Sequence, residues 1–272
     1  MKHSFCTFAV AFLWLLFFSC QSRQAKENNQ HCLHEIDFER NILDSVYSLT
    51  TQGKNMELQM MIYYPVCYHN TAILDSLQHL MTASAANGAG FEYDYRKPEV
   101  FLQRFADYQI EKFRAIDTMY DNDGLHYSYE FISETDSISI QRGIFCFMTS
   151  LYLFEGGAHG LSGKHYTCVD LETGRKLAFN DVFTKDSEEA LTVIIKRIIA
   201  EKPQEYDYFD TEIKPSDNFY FDSDGVIFVY NPYEIAPYSV GVIEIYVPLN
   251  EIAPFILLKR LLDFGHPTAG HS

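Results

Sequence analysis

The 272-residue sequence predicts an α+β fold in which helices pack on an antiparallel-dominated, hairpin-rich sheet. Three observations lead there. Two segments between residues 70 and 113 repeat apolar residues at helical spacing. From Leu125 the period switches to two, and turn signatures then separate a series of short β-branched and aromatic runs. Helices first and strands afterward is the order of segregated layers, not of alternating βαβ units.

Composition agrees with a packed globular chain. Hydrophobic residues make up 47% and charged residues 21%. The 22 Phe and 19 Tyr fit strand positions, where both are favoured, and read first as packing. A carbohydrate-stacking platform is the sharper reading of the same aromatics. With 21 Lys+Arg against 37 Asp+Glu, the formal charge is −16. Nucleic-acid binding draws on clustered cations, so this balance argues against a nucleic-acid partner.

The N-terminus reads as an address. Lys2 precedes an apolar run from Phe5 to Phe18, shorter than the ~20 residues of a spanning helix. Ser19-Cys20 closes the run and resembles a bacterial lipoprotein processing box, with Phe17 where leucine is usual. Residues 1–19 are therefore expected to be a lipoprotein signal peptide, with Cys20 lipidated. Gln21 after the cysteine favours the outer membrane. Residues 20–30 are polar and aperiodic, a tether to a protein anchored in the membrane without spanning it.

Residues 31–120 form the expected N-terminal part and 121–272 the C-terminal part, packed as one unit. Glu57 to Tyr64 reads as a strand closed by Pro65. A helix follows, with Ile73, Leu74, Leu77, Leu80 and Met81 on one face, Asn70 or Thr71 as its cap, and Asn87-Gly88 as its end. A second starts at Pro98, with Phe101, Leu102, Phe105, Tyr108 and Phe113 on its apolar side. Strict alternation from Leu125 to Phe131 marks a half-buried strand, continued by Ile138 and Ile140. Ile144 to Phe154 is nearly all apolar, as in a central strand covered on both faces.

Glu172-Thr173-Gly174 then reads as a turn between two strands. Ser187 to Lys202 is an amphipathic helix with acids early and Lys196-Arg197 late, matching its dipole. Asp222 to Gly225 turns into the strand Val226 to Tyr230, and Val242 to Val247 is the last strand.

Four cysteines remain beyond the signal and the lipidation site: Cys32, Cys67, Cys146 and Cys168. They allow three disulfide connectivities. Cys146 and Cys168 are equidistant from Gly157, so a hairpin centred there would face them as a disulfide or as two buried thiols.

The stretch Glu155-Gly156-Gly157-Ala158-His159-Gly160 is the most distinctive, its paired glycines predicting a tight turn with positive φ. Gly163-Lys164 does not complete a phosphate loop, because Ala158 and His165 stand where Gly and Ser/Thr are required. Gly160-Leu161-Ser162-Gly163 lacks the spacing of a nucleophile elbow. His159 and His165 could hold a metal with Glu155 or Asp170, though a lone histidine in a glycine turn more often bonds a backbone carbonyl. Asp121 to Gly124 with Glu130 partly imitates a calcium loop, but its first ligand position would be Met119. No cofactor is expected.

Several of these motifs occur in a familiar order. After Glu155–Gly160 come Val169-Asp170-Leu171-Glu172-Thr173-Gly174-Arg175-Lys176-Leu177, Asn180-Asp181-Val182-Phe183, Phe219 to Phe228, and Asn231-Pro232-Tyr233-Glu234-Ile235-Ala236-Pro237-Tyr238. The sequence is similar to the extracytoplasmic domain family typified by the C-terminal part of the anti-sigma factor RsiV. The N-terminal companion domain of that family, also present in the peptidoglycan deacetylase PdaC, would correspond to residues 55–120.

The resemblance implies a binding or sensing module at the cell wall, for a glycan or a cationic protein such as lysozyme, and not an enzyme. Its candidate functional loop comprises Glu155, Gly156, Gly157, His159, His165, Asn231, Tyr233 and Tyr238. A hydrolase or metal-dependent enzyme using His159 and nearby carboxylates is the alternative from another class. A structural or assembly lipoprotein is the third.

Overall fold

Five segments pair into one sheet, and two asparagine side chains tie a second sheet to its edge. A computed structural model of the chain describes residues 36–48, 55–91, 97–120, 128–201, 207–209 and 213–262. The signal peptide, the tether, Cys20, Cys32 and the acidic turn at 121–124 lie outside the described residues.

The first sheet has the order β1-β2-β3-β4-β5, formed by Asp37–Ser48, Asn55–Cys67, Tyr129–Gln141, Ile144–Phe154 and Leu161–Asp170. Every neighbouring pair is antiparallel except β2 and β3, which run parallel with Leu58 beside Phe131. A parallel pair needs a long crossover. Helices α1 (Thr71–Ala85) and α2 (Pro98–Tyr120) supply it and cover one face. The sheet is therefore continuous across the 120/121 division expected from the sequence.

In β2 every second side chain from Met56 to Tyr64 is buried. Met56, Leu58, Met60 and Ile62 meet Phe101, Phe105 and Phe113 of α2 and Phe131 of β3. Full burial of such side chains stabilises by ~1.5–3 kcal/mol each. Asn70 caps α1 as expected, its Oδ1 accepting from the backbone N of Ala72 at 3.1 Å and of Ile73 at 3.3 Å. Ile73, Leu77 and Met81 pack beneath it on Phe145, Phe147 and Val169.

Some sequence expectations need correction. Pro65 does not close β2, which runs on to Cys67; a bulge between Asp37 and Phe38 of β1 lies beside that end. β1 itself was not expected, because its Ile42-Leu43 pair and scattered acids break any clean alternation. Glu172 to Gly174 does turn the chain, with Gly174 N donating to Asp170 O at 2.7 Å, yet it leads to one bridge between Val169 and Lys176 and not to a strand. β4 is covered on both faces only from Ile144 to Phe147; beyond Thr149 it is half-buried. Residues 125–127 of the alternating segment lie outside the described residues.

The second sheet, β6-β7-β8, is antiparallel and built from Phe219–Phe221, Gly225–Tyr230 and Ile243–Pro248. Asp222 Oδ1 accepts from the backbone N of Asp224 and Gly225 to form the turn that precedes β7. One face of this sheet buries Phe219, Phe221, Phe228 and Ile245 with Leu191 and Ile195 of α4 (Ser187–Glu201), together with Ile144, Cys146 and Cys168 of the first sheet. The short helices α3 (Phe179–Val182) and α5 (Leu249–Ile252) add Val182 and Ile252 to that core.

β5 is an edge strand, so alternate N–H and C=O groups face away from β4 without a strand partner. Asn231 and Asn218 take that place. Asn231 Oδ1 accepts from Lys164 N at 2.7 Å, and its Nδ2 donates to Lys164 O at 3.2 Å. Asn218 Oδ1 accepts from Tyr166 N at 2.8 Å, and its Nδ2 donates to Lys164 O at 2.8 Å. The close approach depends on Gly163, since a methyl group there would lie 3.1 Å from Asn231 Oδ1.

Removing one amide leaves part-buried backbone groups unpaired, which costs ~1–3 kcal/mol each. Asn231→Ala and Asn218→Ala are therefore expected to lower unfolding free energy by about 1–3 kcal/mol in urea melts. An unchanged midpoint in both would remove the claim that these side chains complete the edge.

Candidate functional site

The β4–β5 hairpin turns through residues 155–160, where Gly156 and Gly157 have φ of +89° and +102°, the region that the double glycine predicts. His159 follows. Its Nδ1 lies 2.9 Å from Gly160 O, and a carbonyl only accepts, so Nδ1 carries the proton in this geometry. Nε2 is left to accept from the Tyr233 hydroxyl at 3.4 Å, a long hydrogen bond. The imidazole also stacks on Tyr238, with centroids 4.4 Å apart and planes 25° apart. Tyr233 and Tyr238 are 5.6 Å apart. His159 of the hairpin and two tyrosines of one loop about 75 residues later thus meet in one aromatic cluster.

Tyr233 is held under strain. Glu234 N donates to Asn231 O at 3.1 Å, which closes a four-residue turn with Pro232 second and Tyr233 third. Pro suits the second position of such a turn, and where the third takes positive φ, as in a type II turn, it favours glycine. Tyr233 adopts φ +73° there and is 53% exposed. A non-glycine residue in this region costs ~1–2 kcal/mol.

Beside the cluster lies a cleft of about 330 Å³. Phe131, Leu151, Leu153 and Leu161 give it apolar walls; Ser162, His165, Asn231 and Glu234 add polar groups; Asn87, Gly88, Gly163 and Pro232 complete the lining. The segment after β7 thus serves twice, sending Asn231, Pro232 and Glu234 to the cleft and Tyr233 and Tyr238 to His159. His159 itself does not line the cleft. Burial, followed by the nearby Lys176 charge, pushes the His165 imidazole below its ordinary value, which favours the neutral ring.

The expected metal set comes apart. Glu155 binds Lys112 Nζ at 2.9 Å, and Asp170 lies 2.7 Å from Arg260 Nη2 as an ion pair whose angles fall short of a hydrogen bond. Neither carboxylate joins His159 and His165, and no group of three or more His, Cys, Asp or Glu among the described residues could hold a metal ion. The enzyme reading built on His159 with these carboxylates loses its acids to nearby cations. Asn231 lines the cleft, and its amide also pairs with the β5 edge, a task that positions the loop. Asn218, which shares that task, carries no sequence signal beyond a lone polar residue before a strand.

Cys146 and Cys168 are direct partners in the β4–β5 register, with sulfurs 2.7 Å apart, and both are free buried thiols. The facing geometry expected about Gly157 is present, while the disulfide is not formed. Cys67 is disulfide-bonded. No helix among the described residues is long and apolar enough to cross a membrane.

These features define a two-sheet α+β protein with an aromatic cluster beside a small cleft. Residues 180–250 match the family model of DUF3298, described as a protein of unknown function. The crystal structure of a DUF3298 member from Bacteroides fragilis superposes with a TM-score of 0.70 at 26% identity, covering 82% of this chain and 94% of that one. A DUF3298 structure from Pseudomonas aeruginosa shares the fold, with a TM-score of 0.54 at 15% identity, covering 84% of this chain and 96% of that one. A comparison with curated proteins finds no match. The family-model match and the structural likeness make the chain similar to DUF3298 proteins over its C-terminal part and in its fold. Three of the motifs quoted above, from Asn180, Phe219 and Asn231 onward, fall inside the matched segment.

Two outcomes follow from the site. Tyr233→Gly relieves the backbone and is expected to raise unfolding free energy by about 1 kcal/mol, whereas Tyr233→Ala keeps its Cβ and does not. A Tyr233→Gly variant less stable than Tyr233→Ala would refute the strain. His165 has its folded pKa depressed below the unfolded 6.5, so the unfolded chain binds the proton more readily. Its contribution is fully present above pH 6.5 and is lost as pH falls through the folded pKa. Melting temperature should drop between pH 7.5 and 5.5, and His165→Gln should flatten that drop; parallel profiles for the two proteins would contradict it.

Proposed function

We propose that this protein is a non-catalytic binding module of the cell envelope, anchored by lipid on Cys20, which takes a glycan at the cleft beside Tyr233. The observation that carries this reading is Tyr233 itself, an exposed ring kept at φ +73° with His159 and Tyr238 against it. That strain is retained at a ring whose contacts within the chain are one long hydrogen bond and one aromatic neighbour, and strained backbone collects at ligand sites.

The chemistry of the cleft suits a sugar. Leu151, Leu153 and Leu161 offer apolar surface to the C–H face of a ring, and His165, Ser162 and Glu234 offer hydrogen bonds to hydroxyl or amide groups. At about 330 Å³ the space is at the small end of ligand sites, so a chain would present one part at a time. The −16 charge favours a second reading, in which a cationic protein such as lysozyme is the partner.

Calorimetric titration of the full chain with soluble peptidoglycan fragments tests the first reading. Saturable binding is expected, weakened about two- to twelvefold by Tyr233→Gly, since loss of one aromatic contact is worth ~0.5–1.5 kcal/mol. Fragments that give no heat, or bind the variant equally well, would overturn it. For the second reading, retention on immobilised lysozyme at low salt that fades at physiological salt is expected, and no retention at either removes it.

A further inference from the structure

The hairpin that carries His159 holds a second chemical feature, which the cleft does not use. Cys146 of β4 and Cys168 of β5 face each other in register, sulfur to sulfur at 2.7 Å. Directly opposed residues of antiparallel strands have Cα atoms ~4.5–5.5 Å apart, inside the ~4.4–6.8 Å span of a disulfide. No backbone shift is needed to join them. The register is fixed as well: Ile144, Phe145, Cys146 and Phe147 are buried on both faces, so a slip by one residue would exchange two packed layers.

We propose that Cys146 and Cys168 are a modification site, a dithiol that oxidises to a cross-strand disulfide at the base of this hairpin. The oxidant is a disulfide of the glutathione or protein type. One cysteine thiolate attacks it, forms a mixed disulfide and expels the first thiolate of the oxidant. The second cysteine, as thiolate, then attacks the sulfur of the first and expels the other. Two thiols of the protein lose two electrons and two protons, and one oxidant disulfide becomes two thiols.

Both sulfurs are buried, at 1% and 2% exposure, behind Phe219 and Phe221 of the second sheet. Burial pushes the Cys168 thiol up. At Cys146, hydrogen bonds with Cys168, the Phe221 backbone and Ser139 outweigh burial and lower it, so Cys146 is the attacking thiolate. Burial nonetheless keeps an oxidant from reaching it in the folded chain. Oxidation therefore belongs to folding, before the second sheet closes over the pair, and the finished bond resists small reductants. It would close a loop between residues 22 apart that includes the whole 155–160 turn.

The test uses the full chain, unfolded in urea with reductant and refolded in a mixture of reduced and oxidised glutathione. Remaining thiols are then alkylated and the peptides mapped by mass spectrometry. The expected result is one linked species joining the peptides of Cys146 and Cys168, lighter by two hydrogens than the separate dithiol forms. Wild-type protein that regains its native spectrum with both cysteines alkylated would overturn the proposal. A Cys146→Ala/Cys168→Ala variant leaves the Cys67 disulfide in place and should melt about 5–10 °C below the oxidised wild type. Equal melting temperatures would also count against it. Should the variant fail to fold, the wild-type peptide map alone decides.

Discussion

Two asparagine amides complete the open edge of β5, and the placement of everything near the cleft depends on them. A primary amide has the donor and acceptor of a peptide group, so Asn231 can pair with both Lys164 N and Lys164 O as a neighbouring strand would. Asn218 does the same one step along, between Tyr166 N and Lys164 O. These residues flank the strand pair β6–β7, and Asn218 O also accepts from Val229 N, so the clasp links one sheet edge directly to the other sheet. An uncovered edge invites pairing with other chains, and side-chain capping prevents that without extending the sheet. It also fixes where the loop after β7 leaves the body of the protein. Pro232 and the hydrogen bond from Glu234 N then close the turn in which Tyr233 takes φ +73°.

The strained loop and the hairpin tip hold each other. Tyr233 donates toward His159, Tyr238 stacks on the same ring, and the tip itself is shaped by Gly156 and Gly157. Acidic residues expected to make His159 catalytic instead neutralise cations: Glu155 meets Lys112 of α2, and Asp170 meets Arg260 near the C-terminal end. What remains beside His159 is a cleft with apolar walls and the polar side chains of Ser162, His165, Asn231 and Glu234.

Local patterns in the sequence carried much of this fold. The spacing of Ile73, Leu77 and Met81 and the Asn70 cap located α1, because caps and stripes act within a few residues. The equal distance of Cys146 and Cys168 from Gly157 located the β4–β5 register, because a tight turn makes pairing arithmetic. Non-local pairings were not legible. The parallel match of β2 with β3 joins segments separated by two helices, and β1 lacks the alternation that a better-covered strand shows. The task of Asn231 was hidden for the same reason: it is defined by Lys164, 67 residues away. Asn231, Tyr233 and Tyr238 could be singled out as unusual, but only the fold shows which holds the loop and which faces outward.

Amide hydrogen exchange at Lys164 and Tyr166 tests the clasp most directly. In the wild-type protein both amides should exchange slowly, although no strand pairs with that edge. Asn231→Ala should accelerate Lys164 selectively, and Asn218→Ala should accelerate Tyr166. Fast exchange at both positions in the wild type, or slow exchange that neither substitution changes, would contradict the account.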